Sequence, residues 1–288
     1  MSGINLVHSD DESYDSGDQQ DPSAPWPFEQ PTNPDGSSFV PRARPPREDP
    51  LQPYMPGEIK SLAGIAMRAF CIGGLLALSV SSTLYLLIFT SHPIWRAPFF
   101  VASLSSFHFL EFWTTAQANT RIVTKESFLL TANWPHYAIA HTVAFWECVL
   151  VTYFFPKKNW LPFNLGTLLL GLGLVFVFGG QAIRSAAMLQ AGASFNHEIQ
   201  WKKADTHVLV TTGVYSLVRH PSYFGFFYWG IGTQLVMGNT ISFFVYTGVL
   251  WWFFNRRISF EEAMLTYFFK DDYKDYRKRV GTGIPFIR

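Results

Sequence analysis

Four long segments of the chain contain no Asp, Glu, Lys or Arg. They comprise 27 residues between Arg68 and Arg96, 20 between Glu126 and Glu147, 25 between Lys158 and Arg184, and 36 between Arg219 and Arg256. A helix needs about 20 mostly apolar residues to cross the hydrocarbon core of a bilayer. Because water-soluble domains rarely contain four such segments, the pattern predicts an all-α, polytopic integral membrane protein.

The segments divide into six predicted transmembrane helices, at about 61–90, 97–118, 134–155, 162–190, 216–237 and 240–258. The last two share one charge-free segment, which is broken at Gly238-Asn239. This dipeptide favours a tight turn and therefore predicts a helical hairpin. Glu111 lies inside the second predicted helix, and a carboxyl group at that depth normally faces the interior of a bundle.

The distribution of basic residues predicts the orientation of the chain. If the N-terminus lies in the cytosol, the far-side loops contain only Arg96, Lys157 and Lys158, and the other 19 of the 22 basic residues lie on or near the cytosolic side. This bias is the one expected of cytoplasmic loops. We therefore expect cytosolic N- and C-termini and a cytosolic loop between the fourth and fifth helices.

Residues 1–57 differ in composition from the rest of the chain. They carry 11 of the 18 prolines and about half of the acidic residues. Such a segment cannot bury enough apolar surface to offset the entropy lost on ordering, so we predict a disordered, acidic, proline-rich cytosolic tail. Residues 58–288 form the predicted transmembrane domain.

Cysteine usage excludes two kinds of site. The two cysteines, Cys71 and Cys148, lie inside apolar segments and have no CxxC or Cys/His spacing. A disulfide framework and a structural zinc site are therefore not expected. We expect neither a metal ion nor a nucleic acid among the ligands.

The polar stretch 197–223 is the main candidate for chemistry. It contains three histidines and two tyrosines, His197, His207, His220, Tyr215 and Tyr223. Pro221 suits the first turn of a helix, so His220 would stand at a helix start, where it could donate a hydrogen bond to an anion or a carbonyl group. Anchoring at the membrane interface explains any one of these residues equally well.

The C-terminal segment, about 256–288, mixes charges with apolar positions in the manner of an amphipathic interfacial helix. Arg257 and Glu261 share a face if the helix is continuous. They could form an exposed ion pair there. Alternatively, Ser259 to Glu262 could be a capping box that starts a new helix and separates the pair.

Several stretches carry a resemblance to a known family. They are DTHVLVTTGVYSLVRHPSYFGFFYWGIGTQ, the EE pair at 261–262, YKDYRKRVGTGIPFI, FHFLEFW at 107–113, ESFLL at 126–130 and AAMLQAGASFNH at 186–197. Together they resemble the isoprenylcysteine carboxyl methyltransferases of the endoplasmic reticulum, over about residues 60–288. The pattern GVYxxxRHPxYxG alone also resembles other membrane methyltransferases and sterol reductases.

The resemblance implies a reaction and its location. A methyl group passes from S-adenosylmethionine to the α-carboxylate of a C-terminal S-farnesylated or S-geranylgeranylated cysteine, which gives a methyl ester and S-adenosylhomocysteine. The implied partners are CaaX-processed proteins such as small GTPases, together with membrane lipid. The implied enzyme is a multi-pass protein of the endoplasmic reticulum membrane with its active site facing the cytosol.

The resemblance also implies the site residues. The cofactor site would lie mainly within 196–223 and 256–288, and Arg257 would meet the substrate carboxylate. The positions that match the family's cofactor-binding residues are Gln200, His207, Val208, Leu209, Val210, Tyr215, His220, Pro221, Ser222, Tyr223 and Glu261. From its position, Glu111 could line the path of the prenyl chain or form a satisfied interhelical hydrogen bond.

The sequence is also compatible with two other classes of function. An NADPH-dependent membrane sterol reductase would need cationic side chains near the cofactor phosphates, and Lys202, Lys203, Arg256 and Arg257 are candidates. A non-enzymatic membrane scaffold or receptor is the other. Small residues between Gly166 and Gly180 could pack helices within one chain or between two, so a homo-oligomer is possible on this pattern.

Overall fold

The computed structural model describes residues 49–132, 134–156, 165–203 and 207–288. In these ranges the chain forms helices joined by turns, which confirms the all-α prediction. The main helices are α1 (Leu62–Phe89), α2 (Arg96–Ala118), α3 (His136–Phe154), α4 (Leu165–Ala191), the short α5 (Val214–Leu217), α6 (Pro221–Met237) and α7 (Ile241–Arg279). The predicted tail up to residue 48, the far-side Lys157 and Lys158, and the predicted start of the fourth helix at 162–164 lie outside the described residues.

The chain divides into two units, Met1–Asp49 and Pro50–Arg288. Within the second unit, five of the six predicted segments coincide with α1 to α4 and α6, and the sixth is the first part of α7. Among the described residues, three helices are long and apolar enough to cross a membrane, namely Leu62–Phe89, His136–Phe154 and Leu165–Ser194. By length and composition, these helices support an integral membrane protein.

The fifth predicted helix begins later than expected. α6 starts at Pro221, and His220 before it has a non-helical backbone with φ −122° and ψ 61°. Proline fixes its own φ in the helical range but disfavours a helical conformation in the residue before it. The predicted residues 216–220 therefore leave the helix, and the short α5 forms separately upstream.

The C-terminal segment is not a separate helix. α7 runs without a break through Arg257 to Glu262, and the hydroxyl of Ser259 donates to the carbonyl of Asn255 at 2.7 Å instead of capping a new helix. The capping-box alternative is therefore wrong, and Arg257 and Glu261 share a face. The helix is interrupted by a kink at Lys270, whose backbone is non-helical with φ 50° and ψ −121°, and the chain after the kink folds back toward α6.

α4 and α6 pack closely because glycine meets glycine. A Cβ atom built on Gly180 would lie 2.6 Å from the carbonyl oxygen of Gly225, and one built on Gly225 would lie 2.4 Å from that of Gly180. Both distances are shorter than any real contact of this kind. Gly180, which belongs to the small-residue pattern seen in the sequence, thus packs within the chain.

A carboxylate of α3 caps the start of α7. Glu147 accepts hydrogen bonds from the backbone N–H groups of Thr240, Ile241 and Ser242, each at 2.8 Å. The first N–H groups of a helix have no partner within the helix, and a negative charge there is favourable. The hairpin of α6 and α7 is therefore fastened to α3 at the end remote from Glu261.

Candidate active site

A cleft that is partly open to solvent lies between the loop after α4, the start of α6 and the second half of α7. Ten of the eleven residues predicted to bind the cofactor line it: His207, Val208, Leu209, Val210, Tyr215, His220, Pro221, Ser222, Tyr223 and Glu261. The eleventh, Gln200, lines an adjoining hollow together with His207, Tyr223 and Glu261. The structure thus brings the predicted set together around one space.

Arg257 lies beside the cleft and is held by two groups. Its Nε donates to the hydroxyl of Tyr223 at 2.8 Å, and its Nη2 donates to the backbone carbonyl of His197. The Tyr223 hydroxyl in turn donates to Glu261 at 2.5 Å. Among the described residues, Nη1 of Arg257 makes no hydrogen bond, so the half-buried guanidinium retains an edge that can receive a carboxylate.

Glu111 does not line the cleft. Its carboxylate is fully buried and pairs with Arg184 of α4, through Nε and through Nη2 at 2.7 Å. Of the two alternatives for Glu111, the satisfied interhelical bond is therefore the one seen. Nη1 of Arg184 continues to the hydroxyl of Ser222 at 2.9 Å, so the pair braces one wall of the cleft from behind.

His197 joins this network from the loop. Its Nε2 lies 3.2 Å from the hydroxyl of Thr115, and its Nδ1 lies 3.8 Å from the carboxylate of Glu111. Burial lowers the pKa of His197 to about 4, because desolvation outweighs the attraction of Glu111. The ring is therefore neutral at physiological pH. Separately, the backbone carbonyl of His197 accepts a hydrogen bond from Arg257.

Glu262 anchors a second buried cluster. It accepts hydrogen bonds from Nε of Arg219 and from Nε2 of His220 at 3.3 Å, and Nε of Arg277 lies 3.1 Å from it. Burial alone would raise the pKa of Glu262, but the hydrogen bonds from His220 and Arg219 together lower it below its ordinary value. The carboxylate therefore stays ionised and ties α7 to the turn before α6.

The back wall of the cleft comes from the chain around and beyond the kink at Lys270. Phe269, Tyr273 and Tyr276 line the cleft, and the Tyr276 hydroxyl donates to the backbone carbonyl of Tyr215 at 2.6 Å. These three side chains and Arg219 lie within the predicted site ranges 196–223 and 256–288 but were not among the individually predicted residues. Tyr273 and Tyr276 are three residues apart in YKDY, a helical spacing that could have placed both on one face of a helix.

His207 lines both the cleft and the adjoining hollow. Its ring makes edge contacts with Phe268 and Phe269, with ring centroids 5.9 Å and 5.3 Å away. Burial lowers the pKa of His207, and the nearby Lys203 acts in the same direction. A neutral, apolar-faced imidazole suits contact with a ligand ring. Within the described ranges, no group of His, Cys, Asp and Glu residues could hold a metal ion.

Comparison with known proteins gives one consistent family. Residues 171–267 match the model of the isoprenylcysteine carboxyl methyltransferase (ICMT) family. The protein-S-isoprenylcysteine O-methyltransferase of Saccharomyces cerevisiae is 43% identical over 224 residues, which cover 77% of this chain and 91% of that protein. The Homo sapiens protein of the same name is 41% identical over 230 residues, covering 78% of this chain and 75% of that one. A solved structure of the eukaryotic intramembrane Ras methyltransferase ICMT superposes with a TM-score of 0.69 at 39% identity, covering 78% of this chain and 77% of that one.

Proposed function

The chain belongs to the isoprenylcysteine carboxyl methyltransferase family, and we propose that it uses the cleft described above to esterify C-terminal prenylcysteine with the methyl group of S-adenosylmethionine. It is a membrane methyltransferase that acts on the carboxylate of a prenylated cysteine. The observation that supports this proposal is that ten of the eleven side chains implied by the resemblance line one cleft beside Arg257. The products are the methyl ester and S-adenosylhomocysteine.

The lining of the cleft suits this methyl donor. S-adenosylmethionine combines an aromatic base, a sulfonium cation and an amino-acid head with both signs of charge. Tyr215, Tyr223 and Phe269 offer aromatic surface, Glu261 offers a carboxylate, and the buried Arg219 offers a cation. When bound, the donor supplies an electrophilic methyl group.

The protein's own residues have a positioning task. The α-carboxyl group of the substrate has an ordinary pKa of about 3.5, so it is ionised at neutral pH and needs no general base. Arg257 can hold it by the unoccupied edge of its guanidinium, whose planar fork matches a carboxylate. Tyr223 and the His197 carbonyl fix that guanidinium, and correct alignment of two reactants is a large part of catalysis. A bound donor would displace water from the cleft, and water would favour separated charges.

The membrane arrangement is proposed from the charge distribution. Six spans, both termini in the cytosol and a cytosolic cleft in the endoplasmic reticulum membrane satisfy the basic bias of the loops. The prenyl group of the substrate would enter sideways from the bilayer, because moving it through water costs about 0.8 kcal/mol per CH₂. Prenylated small GTPases are the proposed partners, in line with the Ras activity of the solved relative.

The test is methyl transfer by the full chain in reconstituted membranes. Labelled S-adenosylmethionine is supplied with a small S-farnesylated cysteine or with its unprenylated analogue. We expect methylation of the prenylated compound only. Transfer to neither compound by a folded protein would refute the proposed function, and equal transfer to both would refute recognition of the lipid.

A further inference from the structure

Two polar atoms in the wall of the cleft have no hydrogen-bond partner among the described residues. They are Nη2 of Arg219 and the hydroxyl oxygen of Tyr273. The Arg219 side chain is 4% exposed and Tyr273 is 1% exposed, and both residues line the cleft. A buried polar group without a partner costs about 1–3 kcal/mol. Because both residues line the same cleft, a ligand bound there is a candidate partner for the two groups.

The other two nitrogens of the Arg219 guanidinium already donate hydrogen bonds within the protein. Nε bonds to Glu262, and Nη1 donates to the carbonyl of Val280 at 2.8 Å. The backbone N–H of Arg219 donates to the carbonyl of Gly281 at 2.9 Å. Because these contacts fix the plane of the guanidinium, Nη2 cannot turn away to find another acceptor. It is a preorganised donor.

The positive charge of Arg219 is shared with a second guanidinium group around one carboxylate. One carboxylate, Glu262, is shared by two permanently charged groups, Arg219 and Arg277. Glu262 therefore balances only one of these two guanidinium charges. Tyr273 adds a neutral O–H donor, because burial raises the pKa of its hydroxyl. A cation and a hydroxyl donor on residues that line one cleft match the oxygens of a carboxylate.

We propose that Arg219 and Tyr273 bind the α-carboxylate of the methyl donor. This inference rests on the proposed function, in which the donor occupies the cleft. The α-carboxylate is the only anionic group of S-adenosylmethionine. Glu261, held by Tyr223 elsewhere on the cleft wall, offers the complementary negative charge for the cationic part of the donor. The two charges give the donor a direction in the cleft.

Tyr273→Phe provides the sharpest test, since it removes only a hydroxyl that has no partner in the protein. The ligand is S-adenosylhomocysteine, which keeps the α-carboxylate, and binding is measured by calorimetry on the full chain in detergent. We expect the dissociation constant to rise about tenfold, while the melting temperature of the unloaded protein is unchanged or slightly higher. Arg219→Lys, which keeps the charge but loses Nη2, should weaken binding in the same direction.

Tyr246→Phe is the matched control. Tyr246 is similarly buried, but its hydroxyl lies 3.1 Å from Nδ1 of His141, away from the cleft. We expect this variant to melt at a lower temperature and to bind S-adenosylhomocysteine as the wild type does. A drop in melting temperature for Tyr273→Phe equal to that of the control would show a structural role and overturn the proposal.

A second ligand identifies the group that is bound. The decarboxylated analogue of S-adenosylhomocysteine should bind the wild type about tenfold more weakly than the parent compound, and Tyr273→Phe should bind both compounds equally. Unchanged affinity of Tyr273→Phe for the parent, or an equal loss for both compounds, would overturn the inference while leaving the proposed function intact. Failure of the wild type to bind either compound would instead count against the proposed donor site itself.

Discussion

Arg257 and Glu261, one turn apart on α7, are joined through the hydroxyl of Tyr223. The hydroxyl accepts from Nε of Arg257 at 2.8 Å and donates to Glu261 at 2.5 Å. The two residues assigned to different reactants therefore share one intermediary. Its removal should disturb the alignment of donor and acceptor more than the affinity for either.

Tyr223→Phe tests this relationship. We expect kcat for methylation of an S-farnesylated cysteine to fall about 10- to 100-fold, because the Arg257 guanidinium loses one of its two fixed contacts. Initial rates at saturating concentrations of both substrates measure the effect. Tyr228→Phe is the control, since the Tyr228 hydroxyl donates to the carbonyl of Gly283 at 3.2 Å and has no part in the proposed reaction. Equal loss in both variants would contradict the role of Tyr223.

Arg257→Ala should abolish turnover and leave donor binding largely intact, because the guanidinium is proposed to hold only the substrate carboxylate. Turnover and calorimetric binding of S-adenosylhomocysteine are measured on the same preparation. The neighbouring Arg256 is exposed and lies over the Trp252 ring at 5.0 Å, so Arg256→Ala should keep nearly full activity. A parallel loss of donor affinity in Arg257→Ala would assign Arg257 to the donor site instead.

Glu111→Gln should destabilise the protein by about 3–5 kcal/mol, since it leaves the buried Arg184 without its counter-charge. The midpoint of thermal unfolding in detergent measures this change. The double variant Glu111→Leu with Arg184→Met removes both charges and should recover much of the stability. It should not recover full activity, because Arg184 also donates to Ser222 in the cleft wall. Full recovery of both would show that the pair has no part in shaping the site.

The neutral His197 predicts a pH dependence of stability. Its pKa in the folded protein is about 4 against an ordinary value of 6.5, so the folded state binds fewer protons than the unfolded state between these values. The contribution of His197 is therefore fully present above pH 6.5 and is lost as the pH falls toward 4. His197→Asn should flatten the decline of the melting temperature in this window.

His136, which is exposed at the start of α3, provides the comparison for that experiment. His136→Asn should follow the wild-type profile. The same slope in the wild type and in His197→Asn would mean that other groups account for the acid sensitivity.

The order of the helices was largely predictable because charge-free apolar length indicates a helix without knowledge of its neighbours, and three of the described helices are long and apolar enough to cross a membrane. Glu147 shows the limit of that approach. In the sequence it only ends a charge-free segment, whereas in the structure it caps a helix more than ninety residues away along the chain. No local sequence pattern predicts such a long-range partner.

The candidate site was likewise only partly predictable from the sequence. The loop residues from His207 to Tyr223 could be assigned from a contiguous resemblance, and they do surround one cleft. Arg219 and Tyr273 could not be assigned, because their significance depends on which of their polar atoms lack partners after folding. The exposed ion pair expected of Arg257 and Glu261 also gave way to a bridge, since Tyr223 reaches them from another helix.

The contact between Gly180 and Gly225 sets the spacing of α4 and α6 close to the candidate active site. One turn beyond Gly180 on α4 lies Arg184, which bonds to Ser222 near the start of α6. A methyl group inserted at Gly180 would force the two helices apart, because the atoms it meets belong to the backbone and cannot rotate aside. Separation of the two helices would displace Arg184 relative to Ser222, which lines the cleft. Loss of catalytic alignment in this enzyme could therefore originate at a residue that touches neither reactant and carries no side chain.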